Sequence, residues 1–324
     1  MVKRRHLFAA LPALMAPAIL PVPASAQSNF QTFLGGIREE AQRHGISRAI
    51  LDQAFANLQP NPRVIQLDRK QPEFTMTWDQ YRARVISDQR IADGRIAARG
   101  NAALLRSIQD KFGVDSRVIA GIWGLESHFG TKTGGFHVIE ALATLAFDGR
   151  RASFFRAELL AALRILENHD ISVDRMTGSY AGAMGQPQFM PTSFTRLAVD
   201  FDGDGRKDIW NSRADALASI ANYLQKSGWK KGESWGQEVV LPTNLPTSLV
   251  GRNHRRSLTD WRNMGIQLIG EPHADSAAIS AIIQPDGQGT PAFLVYTNFA
   301  AIRRYNPSDF YALAVGLIGD QIGA

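Results

Sequence analysis

Residues 119–130, IAGIWGLESHFG, are apolar or small at nearly every position before Glu126. This composition predicts a buried helix that brings Glu126 into poorly solvated surroundings, where a carboxyl group favours its protonated form. A carboxylic acid that keeps its proton near neutral pH can donate it to a leaving oxygen. Glu126 is therefore a candidate general acid, although the same pattern fits a Glu that faces solvent or pairs with an Arg.

A second segment, TGSYAGAMGQPQFMP at 177–191, combines small residues with aromatic and amide side chains. Its Gly and Ala residues allow close backbone approach, whereas Ser179, Tyr180, Gln188 and Phe189 offer hydrogen bonds and stacking faces. This mixture is typical of a sugar-binding cleft. It fits equally well a tight loop that packs Met and Phe into the core.

A third segment, DFDGDGRKD at 200–208, places Asp200, Asp202 and Asp204 at positions 1, 3 and 5 of an EF-hand pattern, with Gly at position 6. Oxygen ligands at this spacing suit Ca²⁺. Position 12 is Asn211 where an EF-hand has Glu, and the next acid is Asp215. The alternative is a surface turn without an ion.

Helical periodicity dominates residues 33–168. The apolar spacing predicts a helical hairpin over 33–58 with Ser47 as an N-cap, a proline-marked loop over 61–72, and a long helix from Trp78 to about Ala98. After residue 236, short β-prone runs occur at 239–241, 267–269, 278–283 and 292–296. They predict a small antiparallel sheet, and a last helix follows around 310–318.

The first 26 residues resemble a secretory leader. Lys3, Arg4 and Arg5 precede the apolar run 7–22, and Ala24-Ser25-Ala26 supplies a small-x-small cleavage signal before Gln27. The basic pair loosely resembles a twin-arginine signal, which leaves the export route open, and a membrane anchor is the alternative reading. No later segment is apolar enough to span a bilayer, so we expect no stable membrane insertion.

Composition excludes several classes of function. The formal net charge is +6, with three of the positive charges inside the predicted leader, which is too weak a bias for nucleic-acid binding. The chain has no Cys, which excludes disulfides, thiolate metal sites, Cys nucleophiles and lipid attachment through Cys. We predict a soluble periplasmic protein after export.

Two of these segments, IWGLES at 122–127 and AGAMGQPQFMP at 181–191, together with the acidic loop, closely resemble the lytic murein transglycosylase B family. The resemblance runs from about Phe30 to the C-terminus. It implies an α+β, mainly α fold with a lysozyme-like helical core, an EF-hand-like loop and a small antiparallel β insertion. The predicted domains are a signal peptide (1–26), an N-terminal helical domain (27–98), a catalytic core (99–235), a β domain (236–290) and a C-terminal return to the core (291–324).

The resemblance implies a peptidoglycan lytic transglycosylase with Glu126 as its catalytic residue. Glu126 would protonate the β-1,4 glycosidic oxygen between N-acetylmuramic acid (MurNAc) and N-acetylglucosamine (GlcNAc). It would then accept the proton of the MurNAc C6 hydroxyl as that hydroxyl attacks the anomeric carbon, which gives a 1,6-anhydro end. Ordinary glycosidases need a second carboxylate. The motifs offer one evident carboxylate, which agrees with intramolecular attack.

Further site residues follow from the resemblance. The implied substrate-binding residues are Tyr81, Arg150, Arg151, Ser179, Gln188, Phe189, Asn298 and Tyr305, with the two arginines facing peptide-stem or lactyl carboxylates. The implied structural Ca²⁺ ligands are Asp200, Asp202, Asp204, the backbone oxygen of Arg206, and Asp215. No organic cofactor is implied.

Two other functions remain open at this point. One is a muramidase that uses Glu126 with water, and the other is a non-catalytic wall-binding protein. Peptidoglycan strands are the expected partner, and other cell-wall enzymes are left open as partners.

Overall fold

The computed structural model describes residues 24–70 and 76–323, and it is built mainly from helices. The predicted leader thus lies outside the described residues except for Ala24 to Ala26, which begin the first helix. The helices are α1 (Ala24–Arg43), α2 (Arg48–Ala54), α3 (Pro62–Asp68), α4 (Trp78–Val85), α5 (Asp88–Gly100), α6 (Ala102–Phe112), α7 (Ser116–Ser127), α8 (Val138–Asp148), α9 (Ala152–Glu167), α10 (Pro191–Leu197), α11 (Arg213–Lys226), α12 (Leu258–Asn263), α13 (Thr297–Tyr305) and α14 (Asp309–Ile322).

Two antiparallel sheets accompany the helices. The strands are β1 (Phe136–His137), β2 (Thr177–Gly178), β3 (Gly236–Val240), β4 (Arg256–Ser257), β5 (Gln267–Leu268), β6 (Ile279–Ile283) and β7 (Ala292–Val295). The first two pair with each other, and the others form one sheet in the order β4-β6-β7-β3-β5. Its centre is fixed by the register of Ile282 opposite Leu294 and Glu238 opposite Phe293. The predicted α+β, mainly α fold with a small antiparallel sheet is confirmed.

The predicted loop over 61–72 is wrong in its first half, because α3 occupies Pro62–Asp68. The side chain of Asn61 accepts hydrogen bonds from the backbone N–H groups of Arg63 and Val64, and Pro62 stands in the first turn. Proline is favoured there because that N–H has no helical partner. The proline that suggested a loop therefore begins a helix.

The predicted long helix from Trp78 to Ala98 is divided into α4 and α5. The hydroxyl of Ser87 accepts a hydrogen bond from the N–H of Arg90 and caps the start of a second helix. The periodic spacing of apolar residues continued across this break, which is why the sequence suggested one helix.

Buried apolar side chains form three clusters. The first joins α5, α6, α7, α11, α13 and α14 with the inner side of the large sheet, and it includes Trp123. The second joins the hairpin α1–α2 and α3 to α8, α9 and the loop around Phe189. The third lies between the sheet and α12, around Trp261. Since α1–α3 and α5 lie in different clusters, the predicted domain boundaries stay a prediction.

Helix α7 lies directly against α14 at a crossing made by glycines. A Cβ atom at Gly121 would lie 2.4 Å from the backbone oxygen of Val315, and one at Gly319 would lie 2.6 Å from that of Arg117. Glycine is thus required at the crossing for close helix approach. This contact sets the distance between the residue at the end of α7, Glu126, and the first turn of α14.

Candidate active site

Glu126 lies in the last turn of α7, where it is partly exposed in a cavity of about 280 Å³. The cavity is open to solvent on one side and is formed by α4, α5, α7, the turn after α13, and α14. Its lining residues are Met76, Tyr81, Arg84, Val85, Arg90, Leu125, Glu126, Asn306 and Tyr311. A carboxyl group in such a cavity can approach an added ligand.

The hydroxyl of Tyr311 donates a 2.6 Å hydrogen bond to Oε1 of Glu126. Burial raises the pKa of Tyr311 well above its ordinary value, and the nearby negative charge of Glu126 acts in the same direction. The phenol therefore keeps its proton and remains a donor. Sequence analysis missed Tyr311; its signal was a phenol within an otherwise apolar helical pattern, but nothing in the sequence paired it with Glu126.

Tyr81, one of the predicted substrate-binding residues, forms one wall of the same cavity. Its ring stacks on Trp78 with centroids 6.3 Å apart, and it contacts Phe310 at 5.7 Å. These contacts fix the ring beside Glu126. Tyr81 can therefore present a flat apolar surface to a sugar ring.

Arg84 and Arg90 also line the cavity, and sequence analysis missed both. Arg84 follows Tyr81 by three residues on α4, so helical spacing alone could have placed it on the same face. The guanidinium of Arg90 donates to the backbone oxygen of Val85, and burial lowers the pKa of Arg90. Among the described residues, the lining of the site thus contains two cations and several hydrogen-bond donors beside one carboxyl group.

Tyr305 and Phe189 lie behind the cavity. The rings of Tyr305 and Tyr311 are stacked with centroids 6.4 Å apart, and the Tyr305 hydroxyl donates to the backbone oxygen of Pro187 at 2.6 Å. Phe189 is buried against Tyr305 and Tyr223. These rings connect the loop of 177–191 to α14 and support Tyr311.

Ser179 and Gln188 stabilise their own loop. The Ser179 hydroxyl accepts from the N–H groups of Ala181 and Ala183, and the Gln188 amide donates to the backbone oxygens of Thr133 and Gly185. Both side chains are partly exposed, but neither lines the Glu126 cavity. Their predicted sugar contacts stay a prediction.

A buried bond ties this loop to α7. The indole N–H of Trp123 donates to Oε1 of Gln186 at 2.9 Å, and the Gln186 amide donates to the backbone oxygen of Trp210. The sequence patterns did not indicate Gln186 as a site residue. The bond holds the loop against the helix that ends at Glu126.

Two further predicted site residues, Arg150 and Arg151, lie away from the cavity. Arg150 and Arg151 both bind the buried carboxylate of Asp68, at 3.1 Å from Nε of Arg150 and 2.5 Å from Nη2 of Arg151. Their guanidinium groups are about half-exposed, so their predicted substrate contacts remain a prediction.

Asn298 requires a correction. Its side chain is fully buried; it accepts from the N–H of Lys230 and donates to the backbone oxygens of Lys230 and Glu233. It therefore holds the loop before β3 and does not face the cavity. Asn306, just after Tyr305, is the amide that lines the Glu126 cavity.

The acidic loop lies between α10 and α11. Oxygen atoms of Asp200, Asp202 and Asp204 lie within 4.8 Å of one another, and this is a group that could hold a metal ion. The Asp200 carboxylate accepts from the N–H groups of Gly203 and Gly205, which winds the loop around it. Hydrogen bonding to Arg206 lowers the pKa of Asp204.

Asp215 lies beneath this loop and is fully buried. Its two carboxylate oxygens accept from the backbone N–H groups of Phe201, at 2.7 Å, and Asp208, at 2.9 Å. Burial raises the pKa of Asp215, although these hydrogen bonds oppose the shift. In this structure Asp215 stabilises the loop backbone, and its role as an ion ligand stays a prediction.

Known proteins resemble this chain over most of its length. The family model described as Transglycosylase SLT domain matches residues 29–320. Membrane-bound lytic murein transglycosylase B of Escherichia coli K12 is 30% identical over 302 residues, which cover 88% of this chain and 81% of that protein. None of the helices in the described ranges is long and apolar enough to cross a membrane.

Solved structures show the same fold. SltB3 from Pseudomonas aeruginosa, in complex with NAG-anhNAM-pentapeptide, has 44% identity and a TM-score of 0.87, with 91% of this chain and 80% of SltB3 covered. The Escherichia coli lytic transglycosylase Slt35, in complex with calcium, has 30% identity and a TM-score of 0.76, with 92% of this chain and 93% of Slt35 covered.

Proposed function

Because this chain belongs to the family described as Transglycosylase SLT domain, we propose that Glu126 is its catalytic acid and base. The chain is a peptidoglycan lytic transglycosylase. It cleaves the β-1,4 bond between MurNAc and GlcNAc without adding water, and it leaves a 1,6-anhydro end.

The arrangement around Glu126 suits a residue that first donates and then accepts a proton. The Tyr311 hydroxyl donates its hydrogen bond to Oε1 of Glu126, so the proton that Glu126 gives to the glycosidic oxygen lies on Oε2. After donation, the same hydrogen bond stabilises the carboxylate that accepts the proton of the C6 hydroxyl. Because that hydroxyl belongs to the MurNAc ring, it is already close to the anomeric carbon, and its proximity lowers the activation barrier.

The observation that carries the proposal is the composition of the cavity. Among the described residues that line it, Glu126 is the one with a carboxyl group. A hydrolysing muramidase would need a second carboxylate as nucleophile or to activate water. The single carboxylate favours intramolecular attack over hydrolysis.

The other lining residues give the substrate its position. The Tyr81 ring offers a face on which a sugar can stack. Arg84, Arg90 and Asn306 supply donors for hydroxyl, N-acetyl and lactyl oxygens. We expect these contacts to hold the MurNAc ring with its anomeric carbon next to Glu126.

The acidic loop fits a structural Ca²⁺ ion. Three carboxylates at close range supply the hard oxygen ligands that this ion prefers, and only Asp204 has a cationic partner among the described ion pairs of the loop. Asp200, Asp202 and Asp204 would hold the ion, with the backbone oxygen of Arg206 and Asp215 as further ligands. A bound ion would cross-link the segment between α10 and α11. This segment supports the 177–191 loop.

The substrate and the leader-like sequence pattern both support a location in the cell wall compartment. Peptidoglycan lies outside the cytoplasmic membrane, and residues 1–26 have the pattern of a secretory signal. Export to the periplasm is thus part of the proposal.

Digestion of murein sacculi in ¹⁸O-water tests the function. Intramolecular attack gives anhydro-MurNAc ends without label, which mass spectrometry detects as products one water lighter than hydrolytic ones. Label at the new MurNAc end would show hydrolysis. Glu126→Gln should reduce product release at least about 100-fold. The control Glu39→Gln, on the exposed face of α1, should not reduce it. Equal activity of Glu126→Gln and the wild type would refute the assignment of Glu126 and favour a non-catalytic wall-binding role.

A further inference from the structure

A second cavity, of about 180 Å³, lies between the large sheet and α13, and it is rich in arginine. Arg252, Arg255 and Arg303 line it together with Tyr296. None of these residues lines the Glu126 cavity. The function described above does not account for this cluster of positive charge.

The charges in this cavity are incompletely neutralised. Asp309 pairs with Arg303 and, at 3.3 Å, with Arg252, so that one carboxylate serves two guanidinium groups. Arg255 is exposed and takes part in none of the ion pairs found among the described residues. Three arginines and one carboxylate leave a positive site that attracts an anion.

One of the lining residues, Tyr296, also has a buried polar group without a partner among the described residues. The side chain of Tyr296 is 4% exposed, and its hydroxyl makes no hydrogen bond within the described residues. Burial raises the pKa of Tyr296, so the hydroxyl is a donor at neutral pH.

The arginine cavity and the Glu126 cavity lie on either side of one turn. Arg303 lies near the end of α13 and lines the arginine cavity, and Asn306, three residues later, lines the Glu126 cavity. Asp309 begins α14, the helix that brings Tyr311 to Glu126. A ligand bound at Glu126 therefore has only to extend past this turn to reach the arginines.

We propose that the arginine cavity binds a carboxylate of the peptide stem attached to the MurNAc residue that lies at Glu126. Guanidinium groups pair with carboxylates in a planar, two-point geometry, and the stem peptide ends in a carboxylate. This inference rests on the proposed function, since that function supplies the glycan. It makes the arginine cavity a determinant of preference for peptide-bearing strands.

The test uses two soluble glycan fragments that carry the stem peptide, one with free carboxylates and one with every carboxylate converted to an amide. Their dissociation constants are measured with the Glu126→Gln chain, which cannot consume them, and their kcat/KM values with the active chain. We expect the free acid to be favoured about tenfold in both measurements. Arg255→Gln should reduce this preference to about twofold, and Arg255→Lys should retain an intermediate value.

Arg106→Gln, which removes the same charge from the exposed face of α6, is the matched control and should leave the tenfold preference unchanged. Arg252→Gln is a second variant of the cavity, and melting curves confirm that each variant is folded. A preference that is equal in the wild type, Arg255→Gln and Arg252→Gln overturns the inference, as does equal affinity for the acid and the amide. Carboxylate-dependent binding without any anhydro product would contradict the proposed function and leave the arginine site supported.

Discussion

The Tyr311 hydroxyl lies 2.6 Å from Oε1 of Glu126 although the two residues are 185 positions apart in the chain. The pairing arises because α7 and α14 pack together without side chains between them at Gly121 and Gly319. The same helix that builds the core thus supplies the donor to the candidate acid.

Tyr311→Phe should lower kcat about tenfold while leaving the fold intact, because it removes one hydrogen bond to the reacting group and little volume. The raised pKa of Tyr311 keeps the phenol neutral at working pH, so its hydrogen bond to Glu126 persists there. The Tyr311 phenol donates a hydrogen bond that stabilises the carboxylate form of Glu126, the form that cannot act as an acid. Its removal should therefore move the alkaline limb of the pH–rate profile to higher pH.

Tyr223→Phe is the matched control for this prediction. It removes the hydroxyl that donates to the backbone oxygen of Arg304 within the same aromatic group, so it should lower stability by about 1 kcal/mol and leave the alkaline limb in place. An unchanged pH profile in Tyr311→Phe would argue against a role for this bond in catalysis.

Local patterns were sufficient to predict much of the fold. Three of the four β-prone runs contain an observed strand, and the fourth, 239–241, overlaps the end of β3, since alternation and turn residues are local properties. Strand β4, with only Arg256 and Ser257, is too short to give a pattern. Helix α3 was missed because Pro62 is compatible with both a loop and a helix start, and the difference depended on the Asn61 cap.

The site was harder to predict from sequence because its side chains meet through packing. Glu126 could be proposed from the sequence because its motif is contiguous. Tyr311 comes from a distant helix, and its partner is determined by the α7–α14 crossing. Asn298 shows the converse error, since a polar residue in a family-like segment proved to be a buried support for a loop.

Calcium should raise the melting temperature of the wild type, because an ion that binds only the folded loop stabilises it by mass action. At a free concentration 100 times the dissociation constant, the gain is about 2.7 kcal/mol. Asp202→Asn should lose most of this shift, since it removes one charged ligand of the group of three. Differential scanning calorimetry with and without a chelator measures the effect.

Asp110→Asn, at an exposed position of α6, should respond to Ca²⁺ as the wild type does. Identical melting curves of the wild type in chelator and in millimolar Ca²⁺ would count against the ion site.

Asp215→Asn should destabilise the chain by about 2 kcal/mol even in chelator, because the new amide nitrogen cannot accept the N–H of Phe201 or of Asp208. Asp202→Asn lies on an exposed part of the loop and should change stability in chelator by less than about 1 kcal/mol. Urea unfolding of both variants in chelator measures the difference. Equal stability of Asp215→Asn and the wild type would mean that Asp215 does not support the loop backbone.

Gly121→Ala tests whether the helix crossing sets the catalytic geometry. The added Cβ would lie 2.4 Å from the backbone oxygen of Val315, and backbone atoms cannot yield as a flexible side chain can. Helix α14 must therefore move away from α7, which lengthens the bond between Tyr311 and Glu126. We expect a loss of about 1–3 kcal/mol in the free energy of unfolding together with a fall in kcat at least as large as that of Tyr311→Phe.

Gly36→Ala makes the same chemical change in the middle of α1, where no atom lies within 4 Å of the added carbon. It should increase stability by about 0.5–1 kcal/mol, because alanine loses less backbone entropy than glycine on forming a helix, and activity should not change. Combining Gly121→Ala with Tyr311→Phe separates the two effects. If the crossing acts through the hydroxyl, the double variant loses little more kcat than Gly121→Ala alone, whereas multiplicative losses would show that the crossing affects catalysis by another route.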